Sequence, residues 1–206
     1  MNEADQDRYR APALDKGLDI LELLAGVDGG LSQSEIAKRL DRSPNEFYRM
    51  LDRLVKRGYV ARLEGDRYAL TLKLFGLAHR HAPMRRLSAL AMPLMRELAE
   101  ATRQENHIVV YDRGHPVVIA QIEAPGYWGI SIRVGSRMGL FETGSGHVLL
   151  AFRSPDLRQM MVAEHEASGG PAGRLTPAFA ARLTEIAARG YERMPSAETP
   201  GVVNLS

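Results

Sequence analysis

EIAKRLDRSPNEFYRML, residues 35–51, holds two short segments of helical apolar spacing that meet across Asp41-Arg42-Ser43-Pro44. Ile36, Ala37 and Leu40 recur on one face of the first segment. Phe47, Met50, Leu51, Leu54 and Val55 recur on one face of the second. Ser32-Gln33-Ser34-Glu35 reads as a capping box, Ser32 reaching the Glu35 backbone and Glu35 reaching back. Ser43 is a natural N-cap and Pro44 a natural first helical residue, whose missing N–H would be unpaired there anyway. Gly58 marks the end. The faces left outside the core carry Asn45, Glu46, Tyr48, Arg49 and Arg53.

Upstream, Leu14, Leu18, Ile20, Leu21, Leu23 and Leu24 form another helical pattern that stops at Gly26 and Gly29-Gly30. Downstream, residues 59–71 alternate around Glu64-Gly65-Asp66, which is hairpin chemistry. Three helices and a small hairpin make a winged helix-turn-helix, in which the third helix projects into a DNA major groove. A three-helix bundle packed on a partner domain would share the helices, but it explains neither the hairpin nor the basic outer face. Residues 1–35 hold three Lys/Arg against eight Asp/Glu, whereas residues 38–67 hold nine against five. Clustered Lys/Arg is the footprint of a phosphate-backbone binder, and a solvated face of mixed charge is its bland counterpart.

The 206 residues are 45% hydrophobic and 25% charged, an ordinary globular composition, with net charge +2. One large domain or two modest ones fit that length. No apolar run approaches a membrane span, and the polar start MNEADQDRYR is not a signal peptide. The absence of cysteine excludes disulfides, thiolate metal sites and cysteine nucleophiles. A cytoplasmic protein is expected.

From about Leu14 to Ser206 the chain resembles the IclR-type bacterial transcriptional regulators. The resemblance is carried by ALDKGLDILELL, by EIAKRLDRSPNEFYRMLDRLVKRGYV and by RYALTLKLFGLAHRH. LAMPLMRELAEAT, IRVGSRMGLFETGSGHVLLAF, RLTPA and the spaced RGYE…GVV continue it in order. It implies an α+β fold: a winged helix-turn-helix over residues 1–72, a linker helix over 73–83, and a GAF-like α/β effector domain with a curved antiparallel sheet over 84–206. It also implies a homodimer or homotetramer that binds operator DNA and a small-molecule effector, with no cofactor and no metal. Helices are expected near residues 71–81, 87–102 (Leu90, Leu94, Met95 and Leu98 on one side), 146–152 and 177–189, and strands in HIVVYD, PVVIAQIE and GISIRV.

The departures from that family are specific. Asn45 and Glu46 stand where small hydroxylated residues are common, so the operator is expected to be this chain's own. His147 stands where a Lys is common, and Met194-Pro195-Ser196-Ala197 replaces acidic residues. The sequence stops in mid-strand at Val202-Val203-Asn204-Leu205-Ser206, which reads as a truncated chain because a cut sheet leaves unpaired backbone.

Enzyme readings find little. Gly144-Ser145-Gly146 lacks the third glycine of a dinucleotide fingerprint and the GxSxG of a nucleophile elbow. It reads as a tight turn into a helix whose first amides suit an anion or carbonyl. His165 lacks the second His of HExxH, so no zinc site is expected. His79 and His81 read as linker surface, and Tyr127 with Trp128 as pocket wall or packing. The DNA-contacting set is therefore Ser34, Arg42, Ser43, Asn45, Glu46, Tyr48, Arg49, Arg53, Arg62 and Arg67. Asn45, Glu46 and Tyr48 are expected to read bases, and Arg62 and Arg67 to flank the wing and touch backbone. The resemblance places the effector against Tyr127, Ile130, Gly144, Ser145, Met194 and Asn204. The competing reading is a DNA-free sensor or protein-interaction module.

Overall fold

A computed structural model describes residues 11–127, 129–172, 175–196 and 199–206. The chain divides into two compact units, Met1–Ala82 and Pro83–Ser206.

The first unit runs α1 (Pro12–Ala25), β1 (Leu31–Ser32), α2 (Gln33–Arg39), α3 (Pro44–Lys56), β2 (Val60–Leu63), β3 (Arg67–Leu70) and α4 (Lys73–Arg80). Its core is Ile20, Leu24, Leu31, Ile36, Ala37, Phe47, Leu51 and Val60. Burying each larger side chain contributes about 1.5–3 kcal/mol, so the apolar faces of α2, α3 and the second half of α1 converge, whereas Leu14 and Leu18 of the α1 pattern are exposed. Both halves of the capping box exist: Ser32 Oγ accepts from the Glu35 amide at 3.3 Å, and Glu35 Oε2 accepts from the Ser32 amide at 2.8 Å. The corner between α2 and α3 is tight because Asp41 takes a left-handed φ of 52°, and the Arg42 amide then closes back on the Ala37 carbonyl at 2.9 Å. Aspartate tolerates that region better than most side chains.

The wing is antiparallel, from Val60↔Leu70 to Leu63↔Arg67. A third strand completes it, β1 pairing with β3 through Leu31↔Tyr68 and Ser32↔Arg67. Gly30 precedes that strand at φ +71°, and a Cβ there would stand 2.6 Å from the Tyr68 carbonyl oxygen, so no other residue fits without moving backbone.

The second unit comprises α5 (Ala82–Thr102), β4 (Asn106–Asp112), β5 (His115–Ile122), α6 (Gly144–Ala151), α7 (Pro155–Ala167), α8 (Pro177–Arg189), β6 (Arg193–Pro195) and β7 (Val203–Leu205). Leu140, Leu150, Ala151, Met161, Leu183 and Ile186 form its core. The fold is α+β, with antiparallel pairing β4–β5 and β6–β7.

Several elements differ from expectation. GISIRV forms no strand; it is residues 135–138 that pair with β5, through Gly135 N to Val118 O at 2.7 Å and Met138 N to Pro116 O at 2.8 Å. The linker helix ends at Arg80, and α5 starts at Ala82 because Pro83 suits a first helical turn. On α5, Met95 and Ala99 are buried while Leu90 and Leu94 are 77% and 68% exposed, so the leucine side lies outside this unit's core. The helix expected at residue 146 begins at Gly144, because Thr143 Oγ1 caps it by accepting from the Gly146 amide at 3.1 Å. Helix α7 adds to the expected elements, and Ser154-Pro155 is its cap signal, like Ser43-Pro44.

Candidate nucleic-acid interface and effector turn

Helix α3 turns Phe47 and Leu51 inward and leaves Asn45, Tyr48, Arg49 and Arg53 exposed. None of these four makes a hydrogen bond or ion pair with another described side chain. Arg49 and Arg53 lie one turn apart, on one face of the helix. At the corner Ser34 is exposed, its Oγ 3.0 Å from Ser32 Oγ, and Gln33 Nε2 donates to the Pro44 carbonyl at 2.9 Å, tying α2 to the start of α3.

Ser43, Glu46, Arg62 and Arg67, also members of the expected DNA-contacting set, make hydrogen bonds within the protein. Glu46 Oε1 accepts from the Ser43 amide at 3.2 Å and from Ser43 Oγ at 3.1 Å, and its Oε2 accepts from Lys16 Nζ at 2.7 Å. The Lys16 ammonium, followed by the Ser43 amide and hydroxyl, lowers the Glu46 carboxyl from 4.5 to about 2. A carboxylate held this way caps the N-terminus of α3. Arg42 stands 4.0 Å from the same oxygen and remains half-exposed. Arg67 donates to the carbonyls of Gly29 and Gly30 at 3.1 and 2.7 Å, so its guanidinium is committed to the turn before α2. Arg62 forks onto Asp66 Oδ1 at 3.0 and 2.6 Å, but both side chains are exposed at the wing.

The expected effector residues fall into two groups. Gly144 and Ser145 open α6, with Ser145 Oγ 3.4 Å from Ser206 Oγ, and Met194 and Asn204 stand opposite each other in β6–β7. Tyr127 and Ile130 lie instead along a shallow depression shared with Glu123, Ala124 and Gly126. Tyr127 is 96% exposed at the edge of that depression. Trp128 and Ala197 lie outside the described residues. Gly146 is packed so closely on the Leu140 carbonyl that a Cβ would collide with backbone, which holds the start of α6 against the segment before it.

Behind that turn sits a polar cluster the sequence did not reveal. Glu192 is fully buried and accepts from Arg182 Nε at 2.8 Å, an Arg189 terminal N–H at 2.6 Å and the Arg193 amide at 2.7 Å. His147 places Nδ1 3.3 Å from the same carboxylate and donates from Nε2 to the Phe141 carbonyl at 2.7 Å. Burial raises the Glu192 pKa, but the hydrogen bonds from Arg182, His147 and the Arg193 amide outweigh it, and the carboxyl lies below its ordinary value. The departure at His147 thus has a physical partner. Ser43-x-x-Glu46 is a capping-box pattern that marks the local role of Glu46, whereas no local pattern marks Lys16.

His165 is buried and its Nδ1 is bonded to the Gly114 carbonyl at 2.7 Å. Among the described residues no group of three or more His, Asp or Glu could hold a metal ion, and no helix is long and apolar enough to cross a membrane.

The family model for the IclR helix-turn-helix domain matches residues 13–64, and the model for the bacterial transcriptional regulator IclR C-terminal matches residues 80–205. The chain is 34% identical over 195 residues to the HTH-type transcriptional regulator BhcR of Paracoccus denitrificans, covering 92% of this chain and 69% of that protein. It is 31% identical over 196 residues to the HTH-type transcriptional regulator KdgR of Escherichia coli, covering 93% and 74%. Among solved structures, an IclR homolog from Microbacterium hydrocarbonoxydans complexed with 4-hydroxybenzoate superposes with a TM-score of 0.72 at 21% identity, over 89% of this chain and 77% of that one. The Thermotoga maritima IclR does so with 0.65 at 26%, over 87% and 74%. Such relatives are transcriptional regulators and not enzymes, and this chain belongs to the IclR family of bacterial transcriptional regulators.

Proposed function

We propose that this cytoplasmic regulator binds operator DNA as a symmetric dimer or tetramer, α3 entering the major groove and the Arg62 side of the wing touching backbone. The observation that carries this reading is the outer face of α3, where Asn45, Tyr48, Arg49 and Arg53 are exposed on a helix whose other face is core. Asn45 and Tyr48 face bases; Arg49 and Arg53 take guanine or phosphate; Arg42, Ser34 and Ser43 lie at the flanking backbone. One winged helix reads too few base pairs for a useful specificity ratio, so two copies act on half-sites about one DNA turn, or a multiple, apart. The exposed Leu74, Phe75 and Leu77 of α4 supply an apolar face for that pairing. A strictly monomeric protein in light scattering at micromolar concentration counts against the assembly. Titrating salt against a duplex separates a DNA binder, whose affinity falls steeply, from a DNA-free module.

The effector is a small, partly apolar organic acid held at the start of α6. The Gly144 and Ser145 amides begin a helix and have no intrahelical partner, so they suit a carboxylate or carbonyl. The Microbacterium relative's complex with 4-hydroxybenzoate supports an aromatic carboxylate as the first compound for a thermal-shift screen. No thermal shift with any of a panel of aromatic and aliphatic carboxylates sinks this assignment.

A further inference from the structure

Lys16 belongs to α1, one turn before the fully buried Ile20, so its stem runs along the core-facing side of that helix. Its side chain is only 22% exposed, and its ammonium meets Glu46, the residue next to the fully buried Phe47 of α3. Both ends of this contact are held. The Lys16 side chain is largely shielded from solvent, and Glu46 is held by two hydrogen bonds from Ser43. An ion pair anchored on both sides loses less side-chain entropy on forming than two free surface chains do. The carboxylate also lies at the amide end of α3, where a DNA phosphate would otherwise compete for the helix dipole. Asn45 and Arg49 stand one residue before and three residues after Glu46, and both are exposed.

We propose that Lys16 is a positioning residue for operator recognition: through Glu46 it fixes the direction in which the first turns of α3 present Asn45 and Arg49, and Glu46 itself reads no base. The proposal rests on the reading of this chain as an operator-binding protein. It predicts a reciprocal dependence between a residue of α1 and one of α3, neither needing to touch DNA.

The test is a charge-swap cycle on the full chain, using a duplex enriched from a randomised library by the wild-type protein. Lys16→Glu and Glu46→Lys should each weaken binding about fivefold, near the upper end of what one ion pair contributes. The double variant Lys16→Glu/Glu46→Lys should bind more tightly than the two single losses multiplied together allow, since a coupled pair departs from additivity, but not as wild type, because a lysine at position 46 cannot accept from the Ser43 amide and hydroxyl. The slope of log affinity against log salt should not change in Lys16→Met, because no phosphate contact is removed. A slope reduced by about one in that variant assigns Lys16 to phosphate directly and overturns the proposal. A base preference altered by Glu46→Lys at a single position, and not repaired by Lys16→Glu, makes Glu46 a reader and overturns it too. Additive losses do the same. Should a reversal fail to fold, Lys16→Met and Glu46→Gln supply the same cycle without like charges. A wild-type protein that enriches no duplex overturns the operator reading along with this inference; one that binds while the cycle is additive overturns the inference alone.

Discussion

The guanidinium of Arg67 donates to the carbonyl of Gly30 at 2.7 Å, so a wing residue holds the turn that precedes α2. Arg67→Ala should therefore cost about 1.5–3 kcal/mol of stability, the range for charge-assisted hydrogen bonds, read from the urea midpoint. Arg62→Ala removes only an exposed pair with Asp66 and should stay within about 0.5 kcal/mol of wild-type stability. On DNA Arg62→Ala should lower affinity similarly on every sequence and reduce the salt slope by about one. Equal stability of the two variants contradicts this division of roles.

On α3, Arg49→Ala should weaken binding to the selected duplex by about 1–3 kcal/mol, the worth of one good bidentate base contact. Its circular dichroism should match wild type, because the side chain packs against no core residue. An unchanged affinity in a gel-shift assay removes Arg49 from the interface.

Acid should act on Glu46 over a defined window. Its folded pKa, about 2, lies below the value of 4.5 it has without partners, so the unfolded state binds its proton first. The contribution of this group to stability is complete above pH 4.5 and is lost as the pH falls from there through 2. Wild type should lose more stability across that window than Glu46→Gln, whose side chain has no proton to bind. An NMR titration should place the Glu46 midpoint near 2 in wild type and closer to 4.5 in Lys16→Met, since the Lys16 ammonium is the largest cause of the depression. A midpoint unaffected by Lys16→Met contradicts the ion pair in solution.

At the start of α6, Ser145→Trp should abolish the thermal stabilisation given by a validated effector and leave effector-free DNA binding intact. Ser145 is only half-buried beside Ser206, so the indole has a route outward and the fold should survive. A wild-type thermal shift in this variant puts the effector elsewhere, with the depression beside Tyr127 as the next place to probe.

The helix-turn-helix was legible in residues 32–58 because its signals are local. Caps at Ser32 and Ser43, a proline at the first helical position and apolar residues at helical spacing all act within one or two turns. The wing turn at Glu64-Gly65-Asp66 was readable for the same reason. Local signals stop where a residue's partner is remote. Nothing near Glu46 announces Lys16, thirty positions earlier, on its carboxylate. Nothing near Arg67 announces that the carbonyls of Gly29 and Gly30 accept from its guanidinium. Two-residue β1 carries no period of its own and exists only because β3 lies beside it. The leucines of α5 announced an apolar face, but periodicity says only that a face is apolar, never which surface covers it, and among the described residues of that helix the buried ones are Met95 and Ala99. Local dihedral and capping preferences are written in neighbouring residues. The pairing of Glu192 with His147, Arg182 and Arg189 depends on which segments the folded chain brings together, and that is settled by packing over the whole unit.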